Sequence, residues 1–84
     1  MRISVIETDS GYHHAAHLCR IFLEGAERNN VVTADEDQRF AITLRRDEFG
    51  EPVLKDGIPQ TDKFYGAVRI ECPTWVRMDL PGGE

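Results

Sequence analysis

His13, His14 and His17 are all the histidines of this chain, and they stand just before one of its two cysteines, Cys19; the other is Cys72. If the segment forms a helical turn, His13 and His17 are i and i+4 on one face, the spacing of paired imidazole ligands. With Cys19 and Cys72 brought to them by the fold, the four make a candidate tetrahedral zinc site. Two features weigh against it: there is no Cys-x-x-Cys pair, and no Glu follows a His in the metalloprotease pattern. A zinc-binding domain is therefore the alternative, and histidines on a loop or helix end are the leading reading. The cysteines are expected to be reduced thiols that serve as small core residues, since a disulfide needs an oxidising compartment.

Other chemistry finds less support. The only serines are Ser4 and Ser10, and neither lies in a Gly-x-Ser-x-Gly elbow. A nucleophilic Cys19 would need a positioned base and an electropositive pocket. The glycines are scattered and form no phosphate-binding loop. Asp35-Glu36-Asp37 lacks the spaced oxygen ligands of a calcium loop and is read as a solvated acidic turn open to a partner. Trp75, the single tryptophan, is the other candidate partner-binding residue, because Trp is enriched in interface hot spots. The expectation is a non-enzymatic protein without a resident cofactor.

The elements that must position these residues are short. Ile3, Val5 and Ile6 favour a strand over Arg2–Glu7, ended by the turn cluster Thr8-Asp9-Ser10-Gly11. Residues 12–24 allow two readings. Tyr12, Ala15, Ala16, Cys19, Phe22 and Leu23 make a helical stripe that Asp9 or Ser10 can cap. The second half also alternates as a strand. The expected arrangement is a strand over Leu18–Glu24 after an irregular or single-turn piece around His13–His17, with a helix as the alternative. Val31–Thr33 is β-prone. Arg39–Arg46 alternates, with Phe40, Ile42 and Leu44 on a buried face and Ala41, Thr43 and Arg45 on a wet one. Residues 47–63 read as a projecting polar hairpin or loop, because Asp56-Gly57 and Pro59 forbid a central strand. Phe64–Glu71 reads as one strand, bent or bulged at Gly66. Thr74–Leu80 reads as an edge strand. The fold class expected is mostly β: a small barrel or sandwich of five or six short antiparallel strands, at most one short helix near residues 12–23, with α+β as the alternative. Residues 1–80 form one domain, followed by a flexible tail at 81–84.

The chain has 84 residues, with 15 Asp and Glu against 10 Lys and Arg, a net charge of −5. Acidity opposes nucleic-acid binding, which draws on cations replacing counterions at phosphates, and it opposes an anionic membrane surface. The first residues carry no apolar run of signal-peptide length, and no segment nears the roughly 20 apolar residues of a membrane span. The expected setting is cytoplasmic.

The runs Arg20-Ile21-Phe22-Leu23-Glu24-Gly25, Asn30 to Asp37, Arg46 to Leu54 and Tyr65 to Glu71 together resemble small uncharacterised proteins of tailed bacteriophages and prophages. The resemblance covers residues 20–71 and implies a phage or prophage origin, with no activity and no site residues attached. It favours the strand reading of residues 18–24. The functional expectation is an accessory protein that binds another protein in a bacterial host cell or on a virion. It would act as an assembly component that self-associates into a homo-oligomer, or as an inhibitor of a host factor.

Overall fold

A computed structural model of the chain describes residues 1–79. In chain order its strands are β1 (Arg2–Ser4), β2 (Arg20–Leu23), β3 (Ala26–Arg28), β4 (Val31–Asp35), β5 (Phe40–Leu44), β6 (Leu54–Lys55), β7 (Ile58–Pro59), β8 (Thr61–Tyr65) and β9 (Val68–Glu71). A single 3-10 turn, Ala16–Leu18, precedes β2, and a short helix, α1 (Thr74–Asp79), follows β9. The domain is thus mostly β. One antiparallel sheet has the order β1-β4-β5-β8 and a second has the order β3-β2-β9, while β6 and β7 form a separate hairpin.

The core lies where the two larger sheets share their apolar faces. Ile3, Ala34 and Ala41 form a cross-strand row on the first sheet. Ile21 and Ile70 supply the larger side chains from the second, and Val76 of α1 completes the cluster. Ala34, Ala41 and Val76 are wholly buried.

Several elements differ from expectation. Ala41 does not face water; the second sheet covers its face. Phe40, on the opposite face, is buried as well, beneath the Arg2 guanidinium 5.3 Å and the Lys63 ammonium 4.2 Å from its ring. The run Phe64–Glu71 is two strands in two sheets. Its break is Gly66, whose φ of +157° suits glycine and few other residues. Thr61, Asp62 and Lys63 belong to β8 rather than to the projecting arm. The rest of that segment is two short excursions, residues 46–52 and the β6–β7 hairpin, which meet where Arg45, Val53 and Gln60 bond to one another. Thr74–Asp79 is helical, not an edge strand. Pro73 cannot donate to a ladder, and its carbonyl accepts the N–H groups of Val76 and Arg77 at 3.0 and 3.1 Å, opening the helix. Only Val76 needs burial there, so the alternation of Val76 and Met78 had no second sheet face to meet. Helix therefore falls at residues 74–79, and the segment near 12–23 holds only the 3-10 turn and β2. Leu80 and the tail expected at 81–84 lie outside the described residues.

The sheet edges are treated differently. The outer side of β1 is covered by Gly11–His13, since the Ser4 N–H donates to Gly11 O at 2.9 Å and the His13 N–H to Ser4 O at 3.3 Å. Glycine is needed for that approach, because a Cβ at Gly11 would lie 2.8 Å from the Arg2 carbonyl. On β9, both outward groups of Ile70 are occupied by side chains. Glu36 Oε2 accepts its N–H at 2.9 Å, and Arg77 donates to its carbonyl at 3.3 Å. β3 is only three residues long. β8 has five residues and pairs with β5 alone.

Candidate functional site

The sequence-predicted residues divide between two places. One is the end of the molecule where α1 packs on the segment before the 3-10 turn. There His13 is buried, and both ring nitrogens are used inside the fold. Nδ1 accepts the Ala15 N–H at 3.0 Å, so the ring proton sits on Nε2, which donates to Asp79 at 3.0 Å. His14 stacks on His13 with ring centroids 4.5 Å apart. Trp75 meets His13 edge-on at 5.7 Å and lies 6.2 Å from His14. Trp75 is nevertheless 51% exposed, and Met78, one helical turn on and so on the same side of α1, is 73% exposed. The site is a Trp–Met–His surface held from beneath by a buried histidine.

A covalent link fixes the same end. The β2–β9 register pairs Arg20 with Glu71, so Cys19 and Cys72 are the next pair in the ladder. Their Cα atoms are 4.2 Å apart and their sulfurs are joined in a disulfide. That separation matches the narrow, non-hydrogen-bonded pair of an antiparallel ladder. The expectation of reduced thiols is corrected: the cysteines do pack against the core, but as a disulfide.

The zinc-ligand set is not gathered. His17 is exposed on the 3-10 turn and shares no helical face with His13, which precedes that turn outside any helix. The bonded sulfurs offer no thiolate. Among the described residues no group of three or more His, Cys, Asp or Glu side chains is placed to hold a metal ion.

The second place is the acidic triplet, and it is not a solvated turn. Asp35 ends β4 with 5% exposure. It accepts N–H bonds from Asp37 and Gln38 at 2.9 Å each and one from Arg2 Nη1 at 3.2 Å. Burial pushes its carboxyl up, but those donors and the Arg2 charge outweigh it and hold the group below its ordinary range. Arg2 also forms a two-point pair with Asp9 at 2.9 and 2.8 Å. That hydrogen-bonded pairing lowers the Asp9 carboxyl, helped by the Gly11 N–H, and raises the Arg2 guanidinium further. Glu36 closes the β9 edge and lies 3.6 Å from the Met1 ammonium. Burial works against that ammonium, yet its hydrogen bond to Asp37 at 3.0 Å and the surrounding carboxylates raise its pKa. Of the three acids only Asp37 is exposed.

The strand reading of Thr74–Leu80 sets Met78 on the side of Val76 and away from Trp75, so it was not among the candidate site residues. The signal that could have found it is Pro73 followed by seven non-breaking residues, a helix start that sets Trp75 and Met78 at i and i+3. An open groove of about 390 Å³ runs past His17, Arg28 and Asn30 on floor residues Ile3 and Ile21, and includes neither His13 nor Trp75. No helix among the described residues is long and apolar enough to cross a membrane. Compared with known proteins, the chain matches no family model, no curated protein and no solved structure.

Proposed function

We propose that this chain acts by binding another protein and not by catalysis, and that the Trp75–Met78–His14 surface is where it does so. The observation that carries the reading is the exposure of Trp75 and Met78 on a helix that is itself firmly anchored. Val76 is buried beneath it, Asp79 accepts from His13, and the Cys19–Cys72 bond lies just before Pro73. A large amphipathic side chain held in place loses little entropy when a partner covers it, which is how interface anchors gain affinity. The use of both His13 nitrogens and both sulfurs within the fold supports a non-catalytic reading.

On the resemblance to phage and prophage proteins, the encounter takes place in a bacterial host cell or on a particle assembled there. Tagged wild-type chain and a Trp75→Ala/Met78→Ala variant, expressed equally in one bacterial host and captured, test the reading by mass spectrometry of what comes with them. The expected result is a small set of proteins held by the wild type and lost with the variant, while circular dichroism shows both folded. Identical recoveries would overturn it.

A further inference from the structure

We infer that β8 is a docking edge for an extended acidic segment of another protein, which adds as an antiparallel or parallel strand beside Thr61–Tyr65. The inference rests on the protein-binding reading above and names the chemistry of a partner on a second surface. The β5–β8 register, with Arg45 N–H donating to Gln60 O and Gly66 N–H to Arg39 O, leaves the backbone groups of Thr61, Lys63 and Tyr65 pointing away from β5. They form a row at strand spacing with no partner strand. The edge of β1 is covered, side chains take both outward groups of Ile70 in the middle of β9, and β3 is short, so β8 is the longest edge left open among the described residues.

Charge selects the occupant. The domain is acidic overall, yet cations flank this strand on both faces. Lys63 lies 5.2 Å from the Tyr65 ring on one face, and the Arg28 guanidinium lies 5.3 Å over the Phe64 ring on the other. Neither takes part in an ion pair among the described residues, whereas Arg45, next to the strand, is already paired with Asp62. A second copy of the chain meets like charge in the two registers centred on the charged residues of the strand. Antiparallel self-pairing centred on Lys63 sets Lys63 against Lys63, and a shift by one pair sets Asp62 against Asp62. Like charges directly opposite destabilise such a ladder. An acidic strand instead meets Lys63 and Arg28 with complementary charge, and gains both main-chain bonds and steering.

The test uses capped peptides of about nine residues that alternate threonine and valine and carry Glu, Gln or Lys at their central positions. They are titrated into isotope-labelled full chain while amide shifts and hydrogen exchange are followed. The expected outcome is protection of the Thr61, Lys63 and Tyr65 amides by the Glu peptide, with affinity at least about tenfold above the Lys peptide, and reversal of that order in Lys63→Glu. Lys63→Pro removes an outward N–H without breaking a bond to β5, and should abolish protection in a folded chain. No protection of these amides by any peptide, or equal affinity for all three, overturns the inference. So does binding of an oligothymidylate at the same residues in preference to the Glu peptide, since the cations and aromatics would then serve a single-stranded nucleic acid. Because Trp75 and Met78 lie outside β8, capture that depends on them would stand if the peptides fail.

Discussion

β8 and β9 each end a sheet, yet side chains cap β9 at Ile70 and leave β8 uncapped. On β9, Glu36 and Arg77 take up both outward groups of Ile70, and the Cys19–Cys72 bond ties the strand to β2. On β8, three outward residues face solvent with only charge to guard them. The difference shows two ways of managing an unpaired edge. Side-chain capping removes the template at the residue it covers. A lysine leaves the template in place and selects who can use it. Substitutions on the sealed side should therefore act on stability, and substitutions on the open side on association.

The largest effect belongs to Ile70, which is 2% exposed at the centre of the sealed strand. Ile70→Ala should cost about 4 kcal/mol in denaturant unfolding, from lost burial and the cavity left behind. Tyr65→Ala on the open strand, where the ring is 71% exposed, should cost no more than about 0.5 kcal/mol. Comparable costs would erase the contrast.

Next comes the disulfide. Reduction, or the Cys19→Ala/Cys72→Ala pair, releases a link between residues 53 apart in sequence. It should lower unfolding free energy by about 3 kcal/mol, with the extra amide exchange concentrated in β9 and α1 and β8 unaffected. A uniform rise in exchange would mean that the bond stabilises the whole domain rather than the sealed edge.

The Arg2 network ranks close behind. Asp9 and Asp35 titrate below their ordinary value of 3.8 in the folded chain. Their contribution is therefore fully present above that pH and is lost as pH falls through the lower folded values. Arg2→Ala leaves two poorly solvated carboxylates without their cation. It should cost about 3 kcal/mol at neutral pH and flatten the loss of stability below pH 3.8. An unchanged acid limb in the variant would show that Arg2 is not what holds those carboxyls down.

Much of the fold was legible in the sequence because period-two alternation survives wherever one sheet face is buried. Phe40–Leu44 was readable as a strand from its alternation, although the face that joins the core carries Ala41 and not Phe40; Arg20–Leu23 lay in a run that periodicity left open between strand and helix, and the turn at Asp56-Gly57 was readable from its residues. The failures have physical causes. Thr74–Asp79 alternates by accident, and the decisive signal was Pro73. Phe64–Glu71 is continuous in pattern, but Gly66 hands the chain from one sheet to the other, which no local period records. The acidic triplet looked solvated because its partners, Arg2 and Ile70, are more than thirty residues away. The disulfide was hidden by the same kind of distance, since Cys19 and Cys72 become neighbours only through the β2–β9 register. Of the candidate site, Trp75 was identified, and its support from His13 and Met78 was not.

Glu36 gives a smaller, local effect. Its carboxylate satisfies the Ile70 N–H on the sealed edge, so Glu36→Ala should cost about 1.5 kcal/mol, as for a hydrogen bond to a charged group. The Ile70 amide should exchange faster while its neighbours bonded to β2 do not.

The smallest stability effect is expected at Lys63, and there the comparison can be broken outright. Lys63 is exposed and has no acidic partner among the described residues, so Lys63→Thr should shift unfolding by about 0.5 kcal/mol or less. What it removes is the like-charge clash that opposes self-pairing of β8, and Thr favours a strand at least as well as Lys. The variant should therefore self-associate at lower concentration than the wild type in sedimentation or native mass measurements. Glu36→Ala on the sealed strand should associate less readily than that, because Arg77 still occupies the Ile70 carbonyl. If Lys63→Thr keeps the wild-type mass at every concentration, the lysine is not what guards β8. Twist or the nearby arm would then have to close that edge, and the claim that charge selects its partner would lose its footing.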